Sequence, residues 1–220
     1  MSESFPASSP KWRRRADARP AEIVRAAYEV FAEKGFAAAR LDDIAKRAGV
    51  SKGALYLYFE TKQDIFEAVV KDAVAPNIGA IETFALSFTG PFEQLLGMMI
   101  PRVAELAQQS ALGKVIKMVI GESGNFPEIA RIWHDDVIAK GIGLLTSLVA
   151  RAQERGEVRP GDPRQHALSI ASPLLVAVIF RETFVPVGAK PFDIPTLMQQ
   201  HLDNVLPGLL TSPTQVKEGP

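Results

Sequence analysis

The residues of this chain best suited to contact another molecule lie close together in its N-terminal third. Cationic, very small and phenolic side chains follow one another there: Lys52, Gly53, Ala54, Tyr56 and Tyr58. Lysine neutralises phosphates, tyrosine contacts phosphate oxygens or thymine methyl groups, and small residues allow the backbone to approach closely. With Arg40 and Lys62 as flanking cations, these groups predict contacts to double-stranded DNA.

Two short helices joined by a tight turn are predicted to position these residues. Apolar residues recur at helical spacing in Leu41–Ala48, and Gly49 ends that helix because a residue without Cβ enters the left-handed conformation at low cost. Ser51 is a preferred N-cap, so a second helix is predicted over Lys52–Tyr58, with Leu55 facing inward. The pair is a helix-turn-helix, whose second helix suits a major groove.

This stretch resembles the DNA-binding region of the tetracycline-repressor (TetR) family of bacterial regulators. The matching residues are Ile44-Ala45, Ala48-Gly49-Val50-Ser51, Gly53, Leu55-Tyr56, Tyr58-Phe59 and Lys62. With the preceding helix, the resemblance covers about Arg19–Val70, and farther along only the helical architecture agrees. Leu41 departs from the family pattern, which often has Thr or Ser at that position, so a hydroxyl contact is missing.

The rest of the chain also has helical periodicity, so the predicted fold class is all-α. A helix over Pro20–Lys34 is predicted to pack behind the motif, and a linking helix over Thr61–Ala75 to follow it, with Pro76 ending or kinking that helix. Further helices are predicted over about 92–109, 112–120, 127–155, 164–184 and 194–210. No alternating pattern typical of a strand is present.

These elements predict an N-terminal three-helix helix-turn-helix head and a larger C-terminal helical body. The expected divisions are a disordered basic arm over 1–18, the head with its linking helix over 19–75, the ligand-binding and dimerisation body over 76–212, and a disordered tail over 213–220. The arm contains Lys11-Trp12-Arg13-Arg14-Arg15. It reaches phosphates or the minor groove in one interpretation, and is a solvated tail without a specific role in the other.

Charge is distributed unevenly along a chain whose formal net charge is zero. Residues 1–62 contain 12 Lys and Arg against 8 Asp and Glu, whereas the remainder contains 13 against 17. A basic head on an acidic body is typical of a small DNA-reading module carried by a larger domain.

The sequence offers little for catalysis or metal binding. It contains no cysteine, which excludes disulfides, thiolate metal ligands and cysteine nucleophiles. His134, Asp135 and Asp136 form the most tempting cluster, but neighbouring helical residues point about 100° apart, so we expect them not to converge. His166 and His201 lack ligand-like spacing. We therefore expect no enzyme activity, no metal and no cofactor, although His134 remains a candidate ligand contact.

The sequence also bears on location. No run is seen to approach the roughly 18 apolar residues of a membrane span, and the N-terminus lacks the apolar core of a secretory signal. The absence of cysteine is compatible with a reducing compartment. We therefore expect a cytoplasmic protein with no membrane partner.

The family resemblance implies that the body holds a ligand pocket and a dimer interface. Candidate pocket residues are large, adaptable side chains of the central helices: Met98, Met99, Met118, Phe126, Trp133, His134 and Phe180. Candidate interface residues lie on the last two long helices: Leu174, Leu175, Val178, Leu202, Val205 and Leu209. An ordinary intrachain core is the alternative for both sets, because core residues recur at the same helical spacing.

Residues and resemblance together predict a sequence-specific DNA-binding transcriptional regulator. The expected form is a homodimeric repressor, released from a palindromic operator by a small apolar or amphipathic inducer. The alternatives are a ligand-independent architectural DNA-binding protein, an activator with the same fold, and an enzyme with an appended DNA-binding head. The enzyme would need a catalytic cluster in residues 76–220, where the sequence offers none.

Overall fold

The computed structural model describes residues 11–109 and 112–211, with side chains for 20–72, 78–108 and 112–211. The α-helices in these ranges are α1 (Lys11–Ala38), α2 (Leu41–Ala48), α3 (Lys52–Tyr56), α4 (Lys62–Val69), α5 (Ala75–Ser87), α6 (Phe92–Gln109), α7 (Leu112–Glu122), α8 (Pro127–Trp133), α9 (Ala139–Glu154), α10 (Pro163–Thr183) and α11 (Ile194–Leu209). A 3-10 turn, Val185–Val187, follows α10. The described ranges contain no strand, only an isolated bridge between Val158 and Leu210. The predicted all-α fold is confirmed.

The first helix starts earlier than its sequence predicted. α1 begins at Lys11, not at Pro20, so the arm predicted to be disordered is helical over 11–18. Lysine, arginine and alanine are strong helix formers, and their propensity outweighs the Ser- and Pro-rich composition on which the prediction rested. Residues 1–10 of the arm and the predicted tail over 213–220 lie outside the described residues. At the other end, Gly35 breaks the helix as predicted, with φ 78° and ψ 170°.

The linking helix does not end at Ala75, which corrects the prediction. α4 passes into a π-helical segment, Val70–Val74, and α5 then continues to Ser87. Pro76 is the second residue after this segment. Because proline lacks the N–H that continues α-helical hydrogen bonding, a change of hydrogen-bonding pattern takes the place of the predicted break. A second π-helical segment, His134–Ile138, joins α8 to α9 within the helix predicted over 127–155.

Two clusters of buried apolar side chains organise the fold. The head-side core joins α1 to α4 with α7 and α8, and includes Phe31, Phe66, Met118 and Trp133. The body core joins α6, α9, α10 and α11 with part of α5. Ile116 of α7 packs against both. The boundary between the cores therefore differs from a division at residue 76, because α7 and α8 belong to the body by sequence and to the head by packing.

The apolar helix α10 is largely exposed in the single chain. The most apolar stretch of Pro163–Val187 has a mean hydropathy of 1.7, and only 17% of it is buried. By length and composition alone it is long enough and apolar enough to cross a membrane, which corrects the expectation that no run approaches a span. One face meets the body core through Ile170 and Val178, whereas Leu175 and Val176 face outward.

Candidate nucleic-acid interface

Local signals build the helix-turn-helix as predicted. Gly49 adopts φ 67° after α2, and its N–H caps the last turn of that helix. The hydroxyl of Ser51 accepts a hydrogen bond from the N–H of Ala54 at 3.1 Å, which caps α3. Leu55 is fully buried and anchors α3 on the head-side core. α3 ends at Tyr56 and is therefore shorter than the predicted helix over 52–58.

One face of α3 and of the turn after it is exposed. Lys52 and Gly53 are exposed, and a Cβ added at Gly53 would meet no atom within 4 Å. The side chains of Tyr56 and Tyr58 are 46% and 38% exposed, while Ala54 is half-buried. The residues that the sequence selected therefore lie together on one surface, without bulky neighbours over Gly53.

Two further residues border this surface. Arg40 is exposed at the N-cap of α2, where its backbone is extended. Leu57 is 81% exposed and was not selected from the sequence. The sequence does indicate this exposure. Leu57 lies between Leu55 and Phe59, which face inward, and an apolar residue outside the buried face of a helix points to solvent.

One ion pair joins α2 to α1, and another joins α3 to α2. Arg47 of α2 donates two hydrogen bonds to the carboxylate of Glu33, at 2.6 and 2.7 Å, and this contact lowers the pKa of Glu33. Lys52 lies 2.9 Å from Asp42, and the hydrogen bond between them raises the pKa of Lys52. The ammonium of Lys52 is therefore already paired with a carboxylate, and a phosphate that approaches it competes with Asp42.

Lys62, in the predicted first turn of α4, is engaged within the chain. Its ammonium donates to three carbonyl oxygens, those of Phe36 at 2.5 Å, Ala39 at 3.1 Å and Ala37 at 3.3 Å. An ammonium has three protons, so each has an acceptor within the chain. Burial lowers the pKa of Lys62, and the carboxylate of Glu122 acts in the opposite direction. In the free chain Lys62 therefore ties α4 to the backbone before α2, and its contact with a phosphate stays a prediction.

The predicted pocket residues do not converge on one place. Met118, Phe126 and Trp133 belong to the head-side core or pack against it. Met99 is buried in the body core, whereas Met98 is 55% exposed on α6. Helical spacing identified these side chains correctly as apolar but did not show which of the two cores each would join.

Phe180 and His134 lie apart from the other pocket candidates. The ring of Phe180 packs against those of Phe184 and Phe192, with centroids 5.3 and 5.1 Å apart. His134 is exposed, and its Nδ1 lies 2.7 Å from a carboxylate oxygen of Asp135. The expectation that these neighbours cannot converge is wrong, because two exposed side chains can turn towards each other. Among the described residues, no group of three or more His, Asp or Glu could hold a metal ion.

The two cavities described in the structure lie away from these candidates. The larger, of about 180 Å³, lies between α10 and α11, and the smaller, of about 10 Å³, lies beside α5, α6 and α9. The larger one is lined by Arg159, His166, Ser169, Ile170, Asn204, Val205, Gly208 and Leu209. None of the predicted pocket residues lines either cavity.

The predicted dimer residues divide into two groups. Val178, Leu202 and Leu209 are buried in the body core of a single chain, which favours the intrachain alternative for these three. Leu174 and Val205 are half-buried.

The exposed part of this surface lies on α10. Leu175 is 46% exposed, and its neighbour Val176, which the sequence analysis did not select, is 68% exposed. Both lie on the side of α10 that faces away from the body core. Leu175 and Val176 therefore leave an apolar surface exposed on α10.

Comparison with known protein families accounts for most of the chain. A family model described as "Bacterial regulatory proteins, tetR family" matches residues 23–69. A second model, "Tetracyclin repressor-like, C-terminal domain", matches residues 89–190. The likeness therefore extends beyond Arg19–Val70, the stretch that the motif residues covered.

Individual relatives support the same assignment. The HTH-type transcriptional repressor BepR of Brucella suis biovar 1 is 32% identical over 195 residues, which are 82% of this chain and 88% of BepR. The fatty acid metabolism regulator protein of Bacillus subtilis is 27% identical over 140 residues, 64% of this chain and 71% of that protein.

A solved structure shows the same fold. The transcriptional regulator FadR from Bacillus subtilis, crystallised in complex with stearoyl-CoA, has a TM-score of 0.70 at 24% identity. The alignment covers 84% of this chain and 96% of FadR. With both domain models matched and BepR similar over most of its length, this chain belongs to the TetR family of bacterial regulatory proteins.

Proposed function

We propose that this protein is a homodimeric transcriptional repressor, released from a palindromic operator by a small apolar or amphipathic ligand. The observation that carries the proposal is the geometry of α3. Ser51 caps this helix and the buried Leu55 anchors it, while its opposite face stays exposed. A rigidly held short helix with one exposed face fits the width of a major groove.

The proposed DNA contacts follow from that exposed face. Tyr56 and Tyr58 contact phosphates or thymine methyl groups, and Lys52 neutralises a phosphate after leaving Asp42. Gly53 and Ala54 allow the backbone to come close. Arg40 contacts the backbone or a guanine, and Leu57 adds apolar surface beside the tyrosines.

The proposed dimer covers the outward face of α10. Leu175 and Val176 leave apolar surface exposed on one copy, and such surfaces usually mark an interaction site. Pairing α10 and α11 with their mates would bury it in a four-helix bundle. In each copy α3 is the reading helix, the helix that enters the major groove. Two copies provide the two reading helices that a palindrome requires, about 34–36 Å apart.

We also propose a cytoplasmic location, no membrane partner and no catalytic role. A partner subunit explains the apolar composition of α10 without a bilayer, and the DNA that the protein would read lies in the cytoplasm. The relatives described above are transcriptional regulators.

The proposed ligand carries a long acyl chain or a similar apolar body. FadR binds stearoyl-CoA, and the curated Bacillus relative is a fatty acid metabolism regulator. Met99 belongs to the body core and Met118 to the head-side core. Ile116 packs against both cores and so marks the boundary between them. A ligand inserted at this boundary would displace α7 and α8. Because these helices share the head-side core, their movement would reach the reading helix directly.

The switch needs only a difference in ligand affinity between two head spacings. A tenfold effect on DNA binding corresponds to about 1.4 kcal/mol, less than the burial of one large apolar side chain stabilises. Coupling of this kind is reciprocal, so operator DNA should weaken ligand binding by the same factor.

Selection of bound duplexes from a random pool is the first test. We expect a palindrome whose half-sites are centred about 10 base pairs apart or a multiple of that spacing. If no sequence were enriched, the DNA-reading proposal would be wrong. Titration of stearoyl-CoA, with and without saturating operator, is the second test. Bound ligand with equal affinities in the two titrations would remove the induction mechanism and leave DNA reading intact.

A further inference from the structure

The backbone of residues 36–39, between the kink of α1 and the start of α2, is held by a carboxylate of the body. Glu122 is the last residue of α7. One of its oxygens accepts a hydrogen bond from the N–H of Phe36 at 3.1 Å, and the other accepts from the N–H of Ala37 at 2.6 Å. Consecutive N–H groups directed at one anion form a small binding site, and hydrogen bonds to a charged acceptor are among the stronger ones.

The end of α1 is shaped to admit this carboxylate. Gly35 has a φ of 78°, a conformation that other residues adopt at a cost. A Cβ added at Gly35 would also collide with Oε1 of Glu122. The backbone conformation favours glycine here, and a larger residue would also push the carboxylate of Glu122 away, so the kink and the carboxylate site depend on the same residue.

The opposite side of the same segment is held by α4. The N–H groups of residues 36 and 37 point to Glu122, whereas the carbonyl groups of residues 36, 37 and 39 accept from Lys62. The segment leads directly to Arg40 and α2, and α2 carries α3. Its position therefore sets where the reading helix lies relative to α4 and α7.

We propose that Glu122 is a positioning residue through which α7 sets the orientation of the reading helix. The proposal rests on the function proposed above, since it names the contact that carries movement from the body to the head. When α7 moves, the 36–39 segment must either follow the carboxylate or leave two N–H groups without their acceptor, and the loss is costly at the partly buried N–H of Phe36.

A second polar contact between body and head provides a matched control. Glu128 of α8 accepts a hydrogen bond from the side chain of Gln63 at 3.1 Å. Like Glu122, Glu128 is a half-buried glutamate on the body side. It meets a neutral side chain that can rotate, not a pair of fixed backbone groups. Glu128→Gln therefore makes the same change of charge without touching the 36–39 segment.

Hydrogen exchange of the full chain, measured by mass spectrometry, tests the proposal. In Glu122→Gln one acceptor oxygen is replaced by an NH2 group, which faces a backbone N–H and cannot accept from it. We expect amides in residues 36–56 to exchange about tenfold faster, which corresponds to about 1.4 kcal/mol, while α9 and α11 are unchanged. Glu128→Gln should leave residues 36–56 as in the wild type. Unchanged exchange in Glu122→Gln would overturn the proposal, and so would an equal increase in the head and the body core.

Affinity for the selected operator is a second test, because loss of charge and loss of positioning change this affinity in opposite directions. Removing a negative charge by itself favours binding to DNA. Loss of positioning acts in the opposite direction, so we expect Glu122→Gln to weaken operator binding about tenfold at a fixed salt concentration near 0.15 M. Tighter binding would show that Glu122 acts through its charge alone. If the wild-type protein selected no sequence, the proposed function would fail, while the exchange experiment would still decide the role of Glu122.

Discussion

The head-side core and the body core differ in how completely one chain encloses them. In the head-side core, Phe36 packs against Phe31 and Phe66 with ring centroids 5.5 and 5.8 Å apart, and all three rings are buried. The body core buries one face of α10 and leaves Leu175 and Val176 exposed on the other. One chain is therefore sufficient to build and support α3, whereas the outward face of α10, on which the proposed dimer depends, is left uncovered by one chain.

The position of α7 and α8 sharpens this contrast. Both helices follow α6 in sequence, but their buried side chains join the head-side core. A ligand that separates the two cores would therefore act on part of the head itself.

We expect the largest effect from Leu202→Glu on α11. Leu202 is fully buried in the body core, and an unpaired carboxylate at such a site costs several kcal/mol. That is comparable with the total stability of a typical domain, about 5–15 kcal/mol. Circular dichroism during heating should show no cooperative transition. Gln200→Glu, at an exposed position on the same helix, is the control and should melt like the wild type. A folded Leu202→Glu dimer would show that Leu202 is not part of the body core.

Phe36→Ala tests the head-side core. Phe36 is fully buried and contacts the rings of Phe31, Phe66 and Phe126. Truncation of a buried phenylalanine typically costs about 3–5 kcal/mol, and equilibrium unfolding in urea should show a loss of this size.

The control for Phe36→Ala is Leu86→Ala, because Leu86 is 52% exposed on α5. A substitution at such a position usually changes the free energy of unfolding by less than about 0.5 kcal/mol. Equal losses in the two variants would contradict the view that the head-side core is closed within one chain.

The double variant Leu175→Glu with Val176→Glu tests the uncovered face of α10. Each exposed side chain that a partner buries stabilises the pair by roughly 1.5–3 kcal/mol, and carboxylates at both positions add a desolvation cost. We expect a folded monomer by light scattering, with a far-ultraviolet spectrum like that of the wild type. Gln165→Glu, exposed near the start of α10, should remain dimeric. A double variant that stayed dimeric would place the interface elsewhere.

Contacts between residues close in sequence were predicted well, whereas contacts between residues distant in sequence were not. Gly49, Ser51 and the capping box between Thr61 and Asp64 depend on neighbours within a few residues, and such local signals can be read from the chain. The intrachain partners of Lys62 were not predicted, because its acceptors lie in Phe36 and Ala39, far away in sequence. A basic residue beside a reading helix has the same local pattern whether it faces a phosphate or a carbonyl.

Periodicity likewise identified buried stripes without showing what covers them. Leu202 and Leu175 both lie on apolar helices, and the sequence assigned both to a dimer interface. The structure buries Leu202 within the chain and exposes Leu175. The pattern i, i+3, i+4 reports only that one face of a helix is apolar. The partner of that face is decided by tertiary packing, and for the same reason Met99 and Met118 were placed in one pocket although they belong to different cores.

Tyr56→Ala tests the exposed face of α3. A lost contact to a base or phosphate should weaken binding to the selected operator by at least about 1 kcal/mol, while binding to unrelated DNA changes less. Fluorescence anisotropy against both duplexes measures this difference. Tyr56→Phe keeps the ring and removes the hydroxyl, so it separates stacking or methyl contacts from hydrogen bonding. If both variants bound like the wild type, Tyr56 would not lie at the interface with DNA.

The smallest expected effect distinguishes two lysines that look alike in sequence. Lys52 is exposed and paired with Asp42, whereas all three protons of Lys62 go to carbonyl oxygens. Each phosphate neutralised contributes about 0.9 to the slope of log affinity against log salt concentration. Lys52→Ala should therefore flatten the slope by about one. Its effect on affinity should be modest, because Lys52 already gives up an ion pair to bind. The double variant with Asp42→Asn is the control, since it removes the carboxylate that Lys52→Ala would leave near DNA.

Lys62→Ala should leave the slope unchanged and lower the melting temperature, because three carbonyl groups lose their donor. A flattened slope with unchanged melting in Lys62→Ala would instead return Lys62 to the DNA interface and show that the bound state releases it from the 36–39 segment.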